Sequence, residues 1–217
     1  MTVRGGPRFV VSFLVAVLLS SLVSFRAPVA YAAPRVYMLE AAQSRLTIHV
    51  GKTGLFGFAG HEHEVVAGAF RGTATFDPEK LAQSSVDLTF EAGALRVLGQ
   101  GEPPEDVPQV QAAMVGPTCL DAGRFPTVRF VSKSVAVAGA FGPNGGDLAL
   151  HGELTLHGVT RPLTLRVHLD VSGQTLEATG TTTLQQTAFG ITPISKAGVV
   201  KVKDELTLSW QIRGRAP

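Results

Sequence analysis

The sequence predicts an all-β protein, an antiparallel β-barrel with one short helical segment. Three observations carry that expectation. Apolar and polar residues alternate with a period of two in run after run, as in strands with one buried and one solvated face. Clusters rich in Gly, Pro and Asn separate the runs. And many amphipathic strands in a single sheet would leave two long exposed edges, which closure into a barrel removes.

The runs follow one another along the chain. Leu46, Ile48 and Val50 alternate with Arg45, Thr47 and His49, and Phe70, Gly72, Ala74 and Phe76 with Arg71, Thr73 and Thr75. Val86, Leu88 and Phe90 alternate with Asp87, Thr89 and Glu91, and Val128 and Phe130 with Arg129. The same pattern places Leu148, Leu150, Leu154 and Leu156 on one face, then Leu163, Leu165, Val167 and Leu169, and finally Leu206, Leu208, Trp210 and Ile212. Turns are expected at residues 77–80, 142–146, 158–162 and 172–173. Alternation stops over residues 95–124, where 101–104 read as a loop and 105–115 predict the helix, carrying Val107, Val110 and Met114. Gly72, Gly152 and Gly180 interrupt strands in the way a sharply coiled barrel wall needs. The period leaves open whether the inward side chains fill the barrel or enclose an apolar cavity.

Residues 1–32 read as an export leader rather than as part of the fold. Arg4 and Arg8 precede an apolar run over residues 9–25, and Ala30-Tyr31-Ala32 follows as a cleavage pattern. The run is at the lower limit for spanning a bilayer. Residues 33–217 then form one domain large enough for a sizeable core. Without Arg4, Arg8 and Arg26, Lys+Arg falls from 19 to 16 against 17 Asp+Glu, a net charge of −1. That balance gives no electrostatic footprint for a nucleic acid. Cys119 is the single cysteine, so no internal disulfide can form and the core and hydrogen-bond ladders must hold the fold.

Several segments resemble one known family. "GELTLHGVTRPLTLRVHL" (152–169) is similar to the signature of the YceI-like secreted lipid-binding proteins. "GTATFDPEKLAQSSVDLTFEA" (72–92), "RFPTVRFVS" (124–132) and "TAFGI" (187–191) resemble further segments of that family, in the same order. The resemblance implies a lipocalin-like barrel enclosing a long apolar tunnel for polyisoprenoids or other long amphiphiles, and a binding protein rather than an enzyme. Two stretches depart from the pattern. Residues 109–120 read "QVQAAMVGPTCL", without the charged groups common there, and His61-Glu62-His63-Glu64 replaces a Val-Arg-Gly-rich approach to the Phe70 strand.

Other chemistries find less support in the residues. No G-x-S-x-G elbow is present, and Cys119 reads as a small, partly buried thiol. His61 and His63 share one face of a strand, and His49 on the preceding strand could complete a three-nitrogen metal or haem site. The same histidines suit a polar rim at a barrel mouth, next to Leu55, Phe56 and Phe58. Both readings of the histidines stand at this point.

The expected ligand-binding residues are therefore Leu55, Phe56, Phe58, Phe70, Phe76, Phe90, Phe130, Phe189 and Trp210. The alternative is a secreted metal- or haem-binding module built on His49, His61 and His63. The expected partner is a long-chain lipid, an isoprenoid or fatty-acid-like molecule, with no catalytic residue, no other cofactor and no nucleic acid. Transient membrane contact and a homodimer are further states that the chain permits. The protein is expected in the periplasm or outside the cell. Intact mass of material recovered there should show a chain beginning near Ala33, and a membrane-embedded species retaining residues 9–25 would overturn export.

Overall fold

The computed structural model describes residues 1–2, 34–53, 62–99, 103–196 and 200–217. The chain divides into two units, Met1–Ala30 and Tyr31–Pro217, and the fold described below belongs to the second. Residues 3–32 of the predicted leader, Leu55, Phe56, Phe58 and His61 lie outside the described residues.

Eight antiparallel strands close into a barrel, as the alternation predicts. Three of them are broken midway. β1 (Arg35–Leu39) leads through a 3₁₀ turn at Ala41–Gln43 into β2 (Arg45–Thr53). β3 (His63–Ala67) passes through Gly68 and Ala69 into β4 (Phe70–Phe76), and β5 (Ser85–Glu91) through Ala92–Ala94 into β6 (Leu95–Leu98). The helix α1 (Val107–Val115) follows, with a proline in its first turn. Long strands complete the wall: β7 (Thr127–Gly142), β8 (Gly145–Leu156), β9 (Val159–Ser172), β10 (Thr175–Gln185) and, after the two-residue β11 (Ser195–Lys196), β12 (Val200–Arg215). The ring runs β1-β4-β5-β7-β8-β9-β10-β12 and closes where Met38 and Leu39 pair with Arg215 and Gly214.

At one end the ring comes apart into two sheets. β12 pairs with β2, β2 with β3 and β3 with β6, but no strand pairs with the far side of β6 among the described residues. Across the barrel, the β9–β10 ladder runs only from Thr175↔Ser172 to Thr179↔His168. Two seams result, and each is filled. At the first, α1 presents Gln111 to β6: the Val97 N–H donates to Oε1 at 2.8 Å, and Nε2 donates to the Leu95 carbonyl at 2.9 Å. One side-chain amide thus does what the peptide group of a neighbouring strand would do. At the second seam, the 3₁₀ turn Gln186–Phe189 lies against β9 and β10, with Phe189 and Ile191 buried.

Two apolar clusters share this frame. The larger runs through the barrel and includes Tyr37, Phe76, Phe130, Leu148, Leu169 and Leu176. The smaller joins Leu46, Val65, Ala67, Leu95 and Val97 to Val107, Val110 and Met114 of α1, the helix face expected from the sequence.

Local chemistry explains the turns. At residues 77–80 the buried Asp77 carboxylate accepts from the Glu79 and Lys80 amides at 2.9 and 2.8 Å, closing an Asx turn. The expected turn at 158–162 is shorter than read: His157 (φ 51) and Gly158 (φ 72) alone connect β8 to β9, and Leu156 pairs with Val159. Both central residues sit at positive φ, as a two-residue hairpin twisted with its strands requires. Pro162 is already inside β9, opposite Glu153 and in the part of β9 that has no ladder with β10, so its missing N–H costs little. β6, at 95–98, was likewise not expected, because four residues are too few to register as alternation.

Gln111→Ala should leave the Val97 N–H and Leu95 carbonyl without partners, destabilising the fold by about 1–3 kcal/mol. Chemical denaturation checks the cost, and hydrogen exchange at the Val97 amide should accelerate. Unchanged exchange would mean that the amide does not close this edge.

Candidate functional site

The barrel is not filled. The inward faces of its strands border a cavity of about 150 Å³ that reaches along much of its length. On the measure by which one water needs about 10–15 Å³, this is an order of magnitude more than a water site. Its walls are almost wholly apolar. Leucines dominate, from Leu148, Leu150 and Leu154 on β8 to Leu163, Leu165 and Leu169 on β9, with Leu176, Leu208 and Ile212 opposite. No Asp, Glu, Lys, Arg or His borders the space among the described residues, and its few polar neighbours are Thr75, Ser84, Ser85 and Thr182.

Of the aromatic residues expected to line the interior, Phe76, Phe90, Phe130 and Trp210 border the cavity. Phe70 and Phe189 do not. Phe70 pairs with Phe90 across β4 and β5, their ring centroids 5.4 Å apart, and so stands behind a lining residue. Phe189 is buried in the wall, filling the seam between β9 and β10. Leu39 borders the cavity from β1, a strand that the sequence did not reveal, and Leu176 from β10, which Gly180 alone had marked. The available signal was the requirement that the wall close, which calls for partners on both sides of β12.

Glycines make room for two of the lining rings, Phe130 and Trp210. A Cβ at Gly152 would stand 2.7 Å from Cζ of Phe130, and one at Gly180 would stand 2.4 Å from Cζ2 of Trp210. Both rings therefore lie against bare backbone instead of projecting across the bore.

The ion pairs described are on the outer surface. Arg129 forks onto Asp87 at 2.9 and 2.5 Å, Lys133 meets Glu153 at 3.0 Å, and Arg213 and Gln211 hold Glu177 at 2.6 and 2.8 Å. The Arg129 fork holds the Asp87 carboxyl below its ordinary value, and the Gln211 and Arg213 hydrogen bonds do the same for Glu177. Burial pushes the Cys119 thiol up, away from the thiolate that nucleophilic chemistry needs.

The two described histidines of this region, His49 and His63, do not come together. Val50 pairs with His63 and His49 with Glu64, so His63 shares the face of Val50 whereas His49 shares that of Glu64. His49 and His63 thus sit on opposite faces of the sheet, and His49 instead meets Glu62 at 3.6 Å. The third histidine of the alternative metal or haem reading, His61, lies outside the described residues. Among the described residues no three His, Cys, Asp or Glu side chains gather as a metal site.

With this geometry, comparison with known proteins becomes decisive. The YceI-like domain model matches residues 37–213. The chain belongs to the YceI-like family. A UPF0312 protein of Shewanella putrefaciens is 31% identical over 183 residues, spanning 80% of this chain and 86% of the relative. One from Shewanella oneidensis is 30% identical with the same coverage. The crystal structure of Burkholderia cenocepacia BcnA has the same fold, with a TM-score of 0.64 at 21% identity over 81% of this chain and 98% of that one. So does a polyisoprenoid binding domain from Saccharophagus degradans, implicated in plant cell wall breakdown, with a TM-score of 0.57 at 12% identity over 83% and 98%.

Three of the four YceI-like segments recognised in the sequence meet at the split end of the barrel. Phe125 packs edge-on against His157 with centroids 4.7 Å apart, and a Cβ at Gly158 would stand 2.5 Å from the Phe125 ring. The His157 Nδ1–H donates to the Phe189 carbonyl at 3.2 Å, and Arg161 Nε donates to the Ala188 carbonyl at 3.0 Å. Phe125, His157, Gly158 and Arg161 of these segments thus hold the filling of the β9–β10 seam in place and do not border the cavity, whereas Leu154, Leu163, Phe76, Phe90 and Phe130 of the same segments do.

One outer cluster should titrate measurably. The hydrogen bond from His168 Nδ1 to Asp147, 2.7 Å, favours the imidazolium, and Asp170 adds attraction at 3.6 Å, so the His168 pKa is raised. Its contribution to stability is full below the unfolded-state pKa and is lost as pH rises through the folded value. Titration followed by NMR should place His168 above the ordinary histidine range, and Asp147→Asn should bring it down. No change on that substitution would assign the shift elsewhere.

Proposed function

We propose that this protein is an exported carrier that holds a long apolar amphiphile inside its barrel. The ligand is a polyisoprenoid, an isoprenoid quinone or a fatty-acid-like lipid. The single observation behind this reading is a cavity bordered almost wholly by apolar side chains and by no charged group among the described residues. The neighbour from Saccharophagus degradans, described as a polyisoprenoid binding domain, supports the ligand class. The basic and apolar start of the sequence, with Ala30-Tyr31-Ala32 after it, supports the periplasm or the medium as the place of action.

Energetics favour a long chain over a small guest. Association costs about 4–15 kcal/mol in lost freedom, and each buried methylene returns about 0.8 kcal/mol. On the order of ten methylenes must be buried before binding becomes useful. An extended chain supplies them without needing a polar partner, whereas a compact polar substrate would leave its groups unpaired against leucine walls. The ionised side chains on the outside keep the loaded carrier in water, and loading from a bilayer requires transient contact with it. Binding, not catalysis, is what such walls can do.

Native mass spectrometry of protein purified without detergent should show an adduct of lipid mass that is lost on organic extraction. An unloaded protein that also fails to take up any long-chain probe would overturn the carrier reading.

A further inference from the structure

The cavity reaches the apolar cluster that α1 covers. Leu46, Phe90, Leu208 and Trp210 border the open space and also pack in the smaller cluster, together with Val107, Val110 and Met114 of the helix. Other ways into the barrel are firmly shut. At the end that holds the β7–β8 and β9–β10 hairpin turns, Tyr37, Phe76, Leu169, Leu176 and Ala216 are all buried, and Phe141 stands edge-on to Phe76 with centroids 6.4 Å apart. At the β9–β10 seam Phe189 and Ile191 are buried, and hydrogen bonds besides those of His157 and Arg161 hold their turn. Gln186 Nε2 donates to the Lys203 carbonyl at 2.8 Å, and the Thr187 amide and hydroxyl donate to Asp204 at 2.8 and 2.6 Å. The helix is held less firmly. None of its residues is buried, and among the described residues its hydrogen bonds to the wall are the two of Gln111. Its two ends also differ. After its last turn the Leu120, Asp121 and Ala122 amides donate to the Met114, Gly116 and Val115 carbonyls at 3.0, 2.8 and 3.0 Å, whereas Asp106 makes no side-chain cap at its start.

We propose that α1 is the door of the cavity: it turns about the hydrogen-bonded segment 116–122, lifts its first turn off β6 and admits the apolar ligand between helix and wall. The inference rests on the carrier reading. Opening gives up the Gln111 bonds and the contacts of three half-buried side chains, Val107, Val110 and Met114. Opening the β9–β10 seam instead would break every tether of the Phe189 turn and wet two buried side chains. The kinetic consequence is specific. The door is shut both before and after loading, so weakening its latch speeds entry and exit alike and leaves affinity unchanged. Altering a residue that only lines the cavity would change affinity.

The probe is a long straight-chain primary alcohol brominated at mid-chain, uncharged like the cavity wall. Its arrival is read as quenching of Trp210, the single tryptophan, which borders the cavity. Release is read as recovery of fluorescence on chasing with the unbrominated alcohol. Gln111→Ala should raise the uptake and release rates together, each about tenfold, the factor that a lost hydrogen-bonding group confers on an opening equilibrium, with the dissociation constant unchanged. A second variant fixes the door. A Cβ at Gly99 would stand 3.1 Å from Cγ2 of Val107, close to the span between a Cβ and the far sulfur of a disulfide. Gly99→Cys with Val107→Cys, in a Cys119→Ser background, should therefore cross-link the first turn of α1 to the end of β6. Oxidised, this protein should take up no alcohol in the time in which the same protein, reduced, reaches equilibrium. Thr187→Val, which loosens the other seam by removing the hydroxyl that Asp204 accepts from, should leave both rates as in the wild type. Equal uptake by the oxidised and reduced forms, or rates unmoved by Gln111→Ala, would overturn the door, and faster exchange in Thr187→Val would move the entrance to the β9–β10 seam. Failure of the alcohol to quench Trp210 of the unaltered protein at any concentration would bring down the carrier reading itself.

Discussion

The rest of the structure depends on the closure of the wall, where Met38 and Leu39 of β1 pair with Arg215 and Gly214 of β12. An open sheet must bury its apolar face by folding onto something else, and that packing leaves no interior. A closed sheet satisfies its backbone groups around the ring and can tolerate unfilled space inside, because the ladder and not the core defines its shape. The leucine-bordered cavity is a consequence of that closure. Tyr37, 1% exposed, sits one residue before the closing pairs and anchors the ring in the larger cluster.

Closure is incomplete at one end, and the protein manages the failure with side chains. Where the β6 edge has no neighbouring strand, the Gln111 amide supplies both a donor and an acceptor. Where β9 and β10 diverge, Phe189 and Ile191 fill the gap and His157 fastens the filling through the Phe189 carbonyl. An unsatisfied edge would cost free energy in every peptide group it left dry, and would invite another chain to pair with it. The YceI-like segments therefore serve both ends of the design: Phe125, His157 and Arg161 keep the barrel shut, while Phe76, Phe90, Phe130 and Leu163 of the same segments supply lining, which needs only to be apolar and of suitable volume.

Charge is sorted by the same wall. The Arg129–Asp87, Lys133–Glu153, Arg213–Glu177 and His168–Asp147 pairs all lie outside, across neighbouring strands. Being exposed, each contributes little to stability. Their effect is on solubility and on the register of the strands they join, and it leaves the interior without an ionised group that would have to be desolvated with a ligand.

Sequence by itself determined the parity of the wall. Strict alternation in 70–76, 86–91, 148–156 and 206–212 decides which residues face inward, because successive side chains of a strand point to opposite sides whatever the tertiary context. It also placed the Asp77 turn and the helix face of Val107, Val110 and Met114, which follow from interactions within a few residues. Tertiary structure decided what depends on partners far apart in the chain. β10 was marked only by its glycine and shows no run of alternation, because its inward positions include Gly180 and Thr182, and Gly180 is small because Trp210, thirty residues later in the sequence, lies over it. The faces of His49 and His63 were fixed by the register of β2 on β3, which no local pattern encodes. Whether the barrel would be full or hollow was decided last, since it depends on how rings such as Phe130 and Trp210 lie against glycines on neighbouring strands, and periodicity reports the face of a residue but not the space its neighbours leave.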